Sequence, residues 1–151
     1  MNETSEIVVA EQPFTVRRTA RWSDCDPAGV VYAGQYPEYL LNAVSHFLRF
    51  LRGVPIRVAP ELELPCKHLA LTFHESIYPD NVVDIQVGIG DIRAHTFDVI
   101  ARARFLDGRH AFDGVFAPIC IKTGERFQKI DIPAELRDLL QRHRIDSENP
   151  A

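Results

Sequence analysis

The sequence predicts an α+β fold in which one long central helix is wrapped by a curved antiparallel sheet. The first observation is a mostly apolar segment between Pro37 and Gly53, interrupted only by a narrow stripe of polar residues at helical spacing. The second is an alternation of apolar and polar residues in four runs between Leu69 and Ile121, separated by turn residues. The wide apolar face predicts a helix that is covered on most sides by the strands that follow it.

The elements before the alternating runs are a strand, a loop and the helix. The strand is predicted from Phe14 to Trp22, and its inward face is formed by Phe14, Val16, Ala20 and Trp22. Pro37 suits a first helical turn, where its missing N–H would have no partner. Gly53 followed by Pro55 ends the helix.

The runs after the helix predict an antiparallel meander. They begin with Leu69, Leu71 and Phe73 and continue through Val83–Ile89, Phe97–Phe105 and His110–Ile121. Asp107-Gly108 predicts a tight hairpin between the last two runs. Pro133 opens a final short helix whose inward side is predicted to carry Leu136, Leu139 and Leu140.

Composition limits the class of protein and its partners. The chain has 151 residues, which predicts one domain over 1–151 with flexible ends at 1–12 and 147–151. The net charge of −4 and the absence of a basic cluster argue against nucleic acid. No apolar run approaches the roughly 20 residues that span a bilayer, so no membrane partner is predicted. Three cysteines without metal-type spacing favour a reducing, cytoplasmic location.

The segment Asp24-Cys25-Asp26-Pro27-Ala28-Gly29-Val30-Val31-Tyr32 is the candidate chemical site. It joins the first strand to the helix, whose first N–H groups have no intrahelical acceptor and can stabilise an anion. A carboxylate beside such an oxyanion site is the minimum equipment for acyl transfer. The alternative is that both aspartates only shape a turn.

This segment, followed by Tyr36, closely resembles the signature of the 4-hydroxybenzoyl-CoA thioesterases and is similar to that of related acyl-CoA thioesterases. The resemblance implies the hot-dog fold, assembly as a homodimer or homotetramer, and hydrolysis of an acyl-CoA thioester. It implies that Asp26 is the nucleophile or general base and that the backbone N–H of Ala33 binds the oxyanion. Asp24 is then expected to orient the loop.

The resemblance also implies positions for the two parts of the substrate. Tyr32 and Leu41 are expected beside the acyl group. Leu41 stands where the 4-hydroxybenzoyl enzymes have a carboxylate, so a small aromatic acyl group without a 4-hydroxyl, or a short aliphatic one, is favoured. Arg93 and His95 are expected to bind the phosphates of CoA.

The sequence leaves alternatives to this function open. Cys25 is a rival nucleophile that would need a histidine as its base, from His68, His74 or His110. The histidines lack metal-ligand spacing, so neither a metal nor an organic cofactor is expected. An acyl carrier protein could replace CoA, and a non-catalytic acyl-CoA sensor would have the same fold.

Overall fold

The structure, a computed structural model, describes residues 4–53, 62–124 and 128–145. The strands are β1 (Glu6–Glu11), β2 (Phe14–Thr19), β3 (Leu62–Glu63), β4 (Cys66–Phe73), β5 (Val82–Ile92), β6 (Phe97–Phe105), β7 (His110–Pro118) and β8 (Ile121–Lys122). The helices are α1 (Gln35–Gly53) and α2 (Ala134–Arg142), and a short 3-10 helix covers Trp22–Asp24. Six strands form an antiparallel sheet in the order β1-β2-β5-β6-β7-β4, while β3 and β8 pair separately.

Helix α1 packs on one face of this sheet, as predicted. Its buried side chains recur every three or four residues, which is the period of one helix face, and they are Tyr36, Tyr39, Leu40, Ala43, Val44, Phe47 and Leu51. The helix contacts β2, β5, β6 and β7. The predicted inward residues of β5 and β6 are buried beneath it. The predicted architecture, a long helix on a curved antiparallel sheet, is confirmed.

One end of the sheet carries the predicted chemical segment, and we call it the loop end. Here β2 ends at Thr19, which pairs with Val82 at the start of β5. The end of β4 lies at the same end, because Phe73 pairs with Phe112, Phe112 pairs with Ala103, and Ala103 pairs with Ile85 near the start of β5. The first turn of α1 is above it, since the Tyr36 ring lies 4.7 Å from that of Phe73. No helix among the described residues is long and apolar enough to span a bilayer.

Two expectations about the chain before α1 are wrong. Residues 6–11 are not part of a flexible end, because they form β1. This strand pairs with β2, from Glu6 opposite Arg18 to Glu11 opposite Phe14. The first strand does not reach Trp22, a residue that is 72% exposed. The strand stops because Asp24 accepts a hydrogen bond from the Arg21 amide and closes a 3-10 turn. The predicted flexible tail at 147–151 lies outside the described residues.

A charged contact is buried between β2 and α1. Asp24 and Arg18 are only 3% and 4% exposed. The Asp24 Oδ2 atom accepts hydrogen bonds from Arg18 Nη2 at 2.9 Å and Tyr39 Oη at 2.6 Å. The Arg18 guanidinium also lies over the Tyr39 ring, 4.5 Å from its centroid. Burial alone would raise the pKa of Asp24, but the donors from Tyr39, Arg21 and Arg18 outweigh it and hold that pKa below its usual value.

Replacing Asp24 by asparagine should lower the free energy of unfolding by about 3 kcal/mol at pH 7, because Arg18 then stays buried without this counter-charge. The pKa of Asp24 is lower in the folded chain than in the unfolded one, where it is about 3.9. Its stabilisation is therefore present above about pH 4 and is lost as the pH falls through the folded-state pKa. Urea unfolding of wild type and Asp24→Asn from pH 7 to pH 3 should show the difference narrowing at the acid end.

Asp84→Asn is the matched control. Asp84 pairs with Arg17, which lies on β2 next to Arg18, but the side chains of Asp84 and Arg17 are both partly exposed. Its effect should stay below about 1 kcal/mol. An Asp24→Asn effect of the same size at every pH would contradict the assignment of the stabilisation to the ionised carboxylate.

Candidate active site

Asp26 lies in a closed loop between the 3-10 helix and α1. Its amide donates to the Val30 carbonyl at 2.9 Å, and its carbonyl accepts from the Gly29 amide at 2.9 Å. Gly29 has a φ of +83°, a left-handed conformation that a glycine adopts without steric cost. Cys25 and Val31 form an antiparallel bridge at the base of the loop. The sequence Pro-Ala-Gly thus makes a tight turn that fixes the backbone of Asp26.

The Asp26 carboxylate is half-buried and has one oxygen available. Oδ1 accepts a hydrogen bond from the Ala28 amide at 2.9 Å. Within 4–53, 62–124 and 128–145, Oδ2 has no hydrogen-bond donor. One oxygen therefore orients the group, and the other is free to attack a carbonyl or to accept a proton.

The start of α1 offers an unpartnered donor next to this loop. The Tyr32 amide donates to the Asp24 carbonyl at 2.9 Å, and the Gln35 amide donates to the Tyr32 carbonyl at 2.8 Å. Between them, the amide of Ala33 has no acceptor in the described part of the chain, and Ala33 is exposed. A free N–H at a helix start is the kind of group that stabilises an oxyanion.

Aromatic side chains surround this end of the helix. The Tyr32 ring is exposed and lies directly over Gly34, where a Cβ atom would approach it to 2.3 Å. Tyr36 is buried and contacts the rings of Phe73 and Phe112. Leu41, on the next turn of α1, is 41% exposed. The described part of the chain therefore presents exposed apolar side chains on this loop and on the first turns of α1.

Cys25 is poorly suited to be the nucleophile. Its Sγ atom contacts the Arg21 carbonyl at 3.5 Å. Burial, followed by the charges of Asp24, Asp26 and Asp80, raises the pKa of this thiol above its usual value and disfavours the reactive thiolate. Of the histidines considered as its base, His74 instead pairs with Asp113 at 2.9 Å.

Arg93 and His95 lie at the opposite end of the sheet from the loop. β5 has 11 residues from Val82 to Ile92, and at about 3.3 Å per residue this separates Arg93 from the loop end by roughly 35 Å. Arg93 donates to Thr96 Oγ1 at 2.7 Å and to Asp98 Oδ1 at 2.5 Å. His95 Nδ1 lies 3.2 Å from Asp131 Oδ1. One chain therefore does not bring these two side chains to Asp26.

No group of three potential metal ligands is found among the described residues.

The contacts of Arg18, Tyr39 and Gly34 were not predicted from the sequence. For Arg18 a signal existed, because it lies between Val16 and Ala20 on the inward side of the first strand, where a cation needs a buried acid. Tyr39 lies in the mostly apolar segment between Pro37 and Gly53, which gives no sign of a polar partner for its hydroxyl. The close approach of the Tyr32 ring to Gly34 has no signal in the sequence.

Comparisons with known proteins agree with this fold. The family model of the thioesterase-like superfamily matches residues 20–140. A thioesterase superfamily protein from Jannaschia sp. is similar in structure, with a TM-score of 0.77, 20% identity and coverage of 88% of this chain and 94% of the other. No curated protein sequence matches the chain.

Two further similar structures are of thioesterases whose names state a substrate. The 1,4-dihydroxy-2-naphthoyl-CoA thioesterase from Synechocystis is 19% identical, with a TM-score of 0.72 over 85% of this chain and 95% of the other. A gentisyl-coenzyme A thioesterase is 20% identical, with a TM-score of 0.69 over 83% of this chain and 98% of the other. These likenesses show the hot-dog fold. Because the family match covers most of the chain, the protein belongs to the thioesterase-like superfamily and is a thioester hydrolase.

Proposed function

We propose that the protein hydrolyses acyl-CoA thioesters and that Asp26 is its catalytic carboxylate. The observation that carries this proposal is the free Oδ2 atom of Asp26 on the same short loop as the unpartnered amide of Ala33. An anionic group and a preorganised donor near one another can act on the two atoms of a carbonyl group.

Two mechanisms use these atoms. In the first, an Asp26 oxygen attacks the thioester carbon, the C–S bond breaks, and the thiolate leaves and takes up a proton. Water then hydrolyses the mixed anhydride and regenerates the carboxylate. In the second, Asp26 takes a proton from a water molecule that attacks the same carbon, and the thiol leaves directly. The Ala33 N–H stabilises the oxyanion in both, and the net reaction consumes one water.

The acyl group that fits best is small and aromatic. Tyr32, Leu41 and Phe73 are large apolar side chains that the single chain leaves exposed. The Phe73 ring lies 4.7 Å from that of Tyr36, at the loop end. Leu41 has no carboxylate that could bind a 4-hydroxyl group, which disfavours a 4-hydroxybenzoyl substrate. The naphthoyl and gentisyl substrates named for two structural neighbours are aromatic as well. A short aliphatic acyl group is the alternative.

We propose that the active unit is a dimer formed through the edge strand β4. Almost all of its residues are exposed in the single chain, including Leu69 and Phe73. An exposed apolar edge strand is a site for pairing with another chain. Antiparallel pairing of two β4 strands would place the loop end of one sheet at the same end of the dimer as Arg93 and His95 of the second copy. Pairing of two such dimers would give the tetramer.

This arrangement supports a role for Arg93 and His95 in CoA binding across the dimer. A role within one chain is not supported, because the two ends of β5 lie too far apart. The acidic neighbours Asp98 and Asp131 would then compete with the CoA phosphates for these cations. An acyl carrier protein would instead need an exposed basic surface near the loop. We place the reaction in the cytoplasm because all three cysteines are free thiols.

Thiol release from a panel of benzoyl, hydroxybenzoyl, phenylacetyl and short aliphatic CoA esters tests the reaction. Wild type should turn over at least one aromatic ester. Asp26→Asn should lower kcat by about 10³-fold, because the amide is neither a base nor a nucleophile of comparable strength. Tight binding of CoA esters without turnover would instead favour a non-catalytic acyl-CoA sensor.

Cys25→Ala is the matched control in that assay, since Cys25 precedes Asp26 in the loop and the raised pKa of its thiol disfavours the thiolate. It should keep wild-type kcat. Loss of activity in Cys25→Ala with full activity in Asp26→Asn would contradict the assignment of the catalytic group.

Sedimentation velocity tests the dimer. Wild type should sediment as a dimer or tetramer at micromolar concentration. Leu69→Lys should shift the distribution towards monomer, because it places a charge on the apolar side of the proposed interface. Leu106→Lys, at an exposed leucine in the hairpin after β6, serves as the control. A wild-type protein that is monomeric at these concentrations would contradict the proposed active unit.

A further inference from the structure

Asp24 connects three parts of the chain that meet around Asp26. Its carboxylate holds Arg18 of β2 and Tyr39 of α1, at 2.9 and 2.6 Å. The same carboxylate accepts the Arg21 amide at 3.0 Å, at the start of the 3-10 turn. A single buried oxygen, Oδ2, therefore receives donors from the strand, the turn and the helix.

The main chain of Asp24 joins the two sides of the candidate site. Its carbonyl accepts the Tyr32 amide at 2.9 Å. Asp26 follows Asp24 by two residues, and Ala33 directly follows Tyr32. This hydrogen bond thus ties the segment that carries the carboxylate to the segment that carries the free amide.

We propose that Asp24 is a positioning residue that sets the spacing between the Asp26 carboxylate and the Ala33 amide through its contacts with Arg18 and Tyr39. The inference rests on the proposed function, because it assigns Asp24 a role in that same site. Asp24 does not touch the substrate. It acts by holding the strand, the turn and the first turns of α1 in one arrangement.

The physical reason lies in the burial of the charges. Arg18 is enclosed, and its other acidic neighbour, Glu6, is farther away, with Nη1 and Oε2 separated by 3.5 Å. If Asp24 becomes neutral, the guanidinium loses its closest anion and must move or admit water. Either response displaces the loop, and a displacement of about 1 Å in a catalytic group can reduce the rate by about 100-fold.

The test compares Asp24→Asn and Tyr39→Phe with wild type, using the panel ester with the highest turnover. Tyr39→Phe removes only the hydroxyl that contacts Asp24, so it is the milder variant if Asp24→Asn folds poorly. Both are assayed well below their unfolding midpoints, and kcat is expressed per folded molecule. Asp84→Asn removes the partly exposed carboxylate that pairs with β2 through Arg17 and serves as the matched control.

We expect kcat to fall by about 10-fold in Tyr39→Phe and by more in Asp24→Asn, with KM changed by less than about 3-fold, since only transition-state geometry is lost. Asp84→Asn should keep wild-type values of both constants. A residue that only stabilises the fold would leave kcat per folded molecule unchanged. Values of kcat within about 2-fold of wild type in both variants would overturn the proposal.

Asp26→Asn in the same series separates this proposal from the proposed function. If Asp26→Asn is inactive while the Asp24 and Tyr39 variants keep their kcat, only the positioning role is wrong. If wild type shows no turnover, or Asp26→Asn keeps it, the proposed function is wrong and the positioning role is wrong with it.

Discussion

The contact between Asp24, Arg18 and Tyr39 is the interaction on which the arrangement of the site depends. It joins the end of β2 to the first turns of α1, and the loop that carries Asp26 spans the gap between them. Burying two charges is costly unless each is paired and hydrogen-bonded. The three donors to Asp24 meet that requirement for the carboxylate, and Arg18 is paired with it through Nη2. Helix packing supplies the core, and this contact fixes where the helix begins relative to the sheet.

Much of the fold follows from local patterns. Period-two alternation identified β5 and β6, because both strands are central and one face of each is buried. It gave no information on exposure for β4, which has the same alternation at the edge of the sheet. The strand β1 was missed because Ile7, Val8 and Val9 are consecutive apolar residues between acidic ones, with no alternation. Its pairing with β2 is a tertiary contact that composition does not encode.

The candidate site divides in the same way. Asp26 and Ala33 lie close in sequence on one loop, and both were selected by the resemblance of a nine-residue motif to a known family. Arg93 and His95 were chosen by resemblance alone, and their distance from the loop is a property of sheet register. The partner of Arg18 is six residues away in sequence, but its burial depends on α1 covering the strand. Contacts that depend on several elements at once are those that sequence patterns do not reveal.

The central claim is that one thioester carbonyl is held between the Asp26 carboxylate and the Ala33 amide. A crystal structure with an aromatic ketone analogue of the substrate, in which a methylene group separates the CoA sulfur from the carbonyl, tests it most directly. We expect the ketone oxygen within about 3.1 Å of the Ala33 nitrogen and an Asp26 oxygen about 3 to 3.5 Å from the carbonyl carbon. A ketone bound away from both groups would contradict the account.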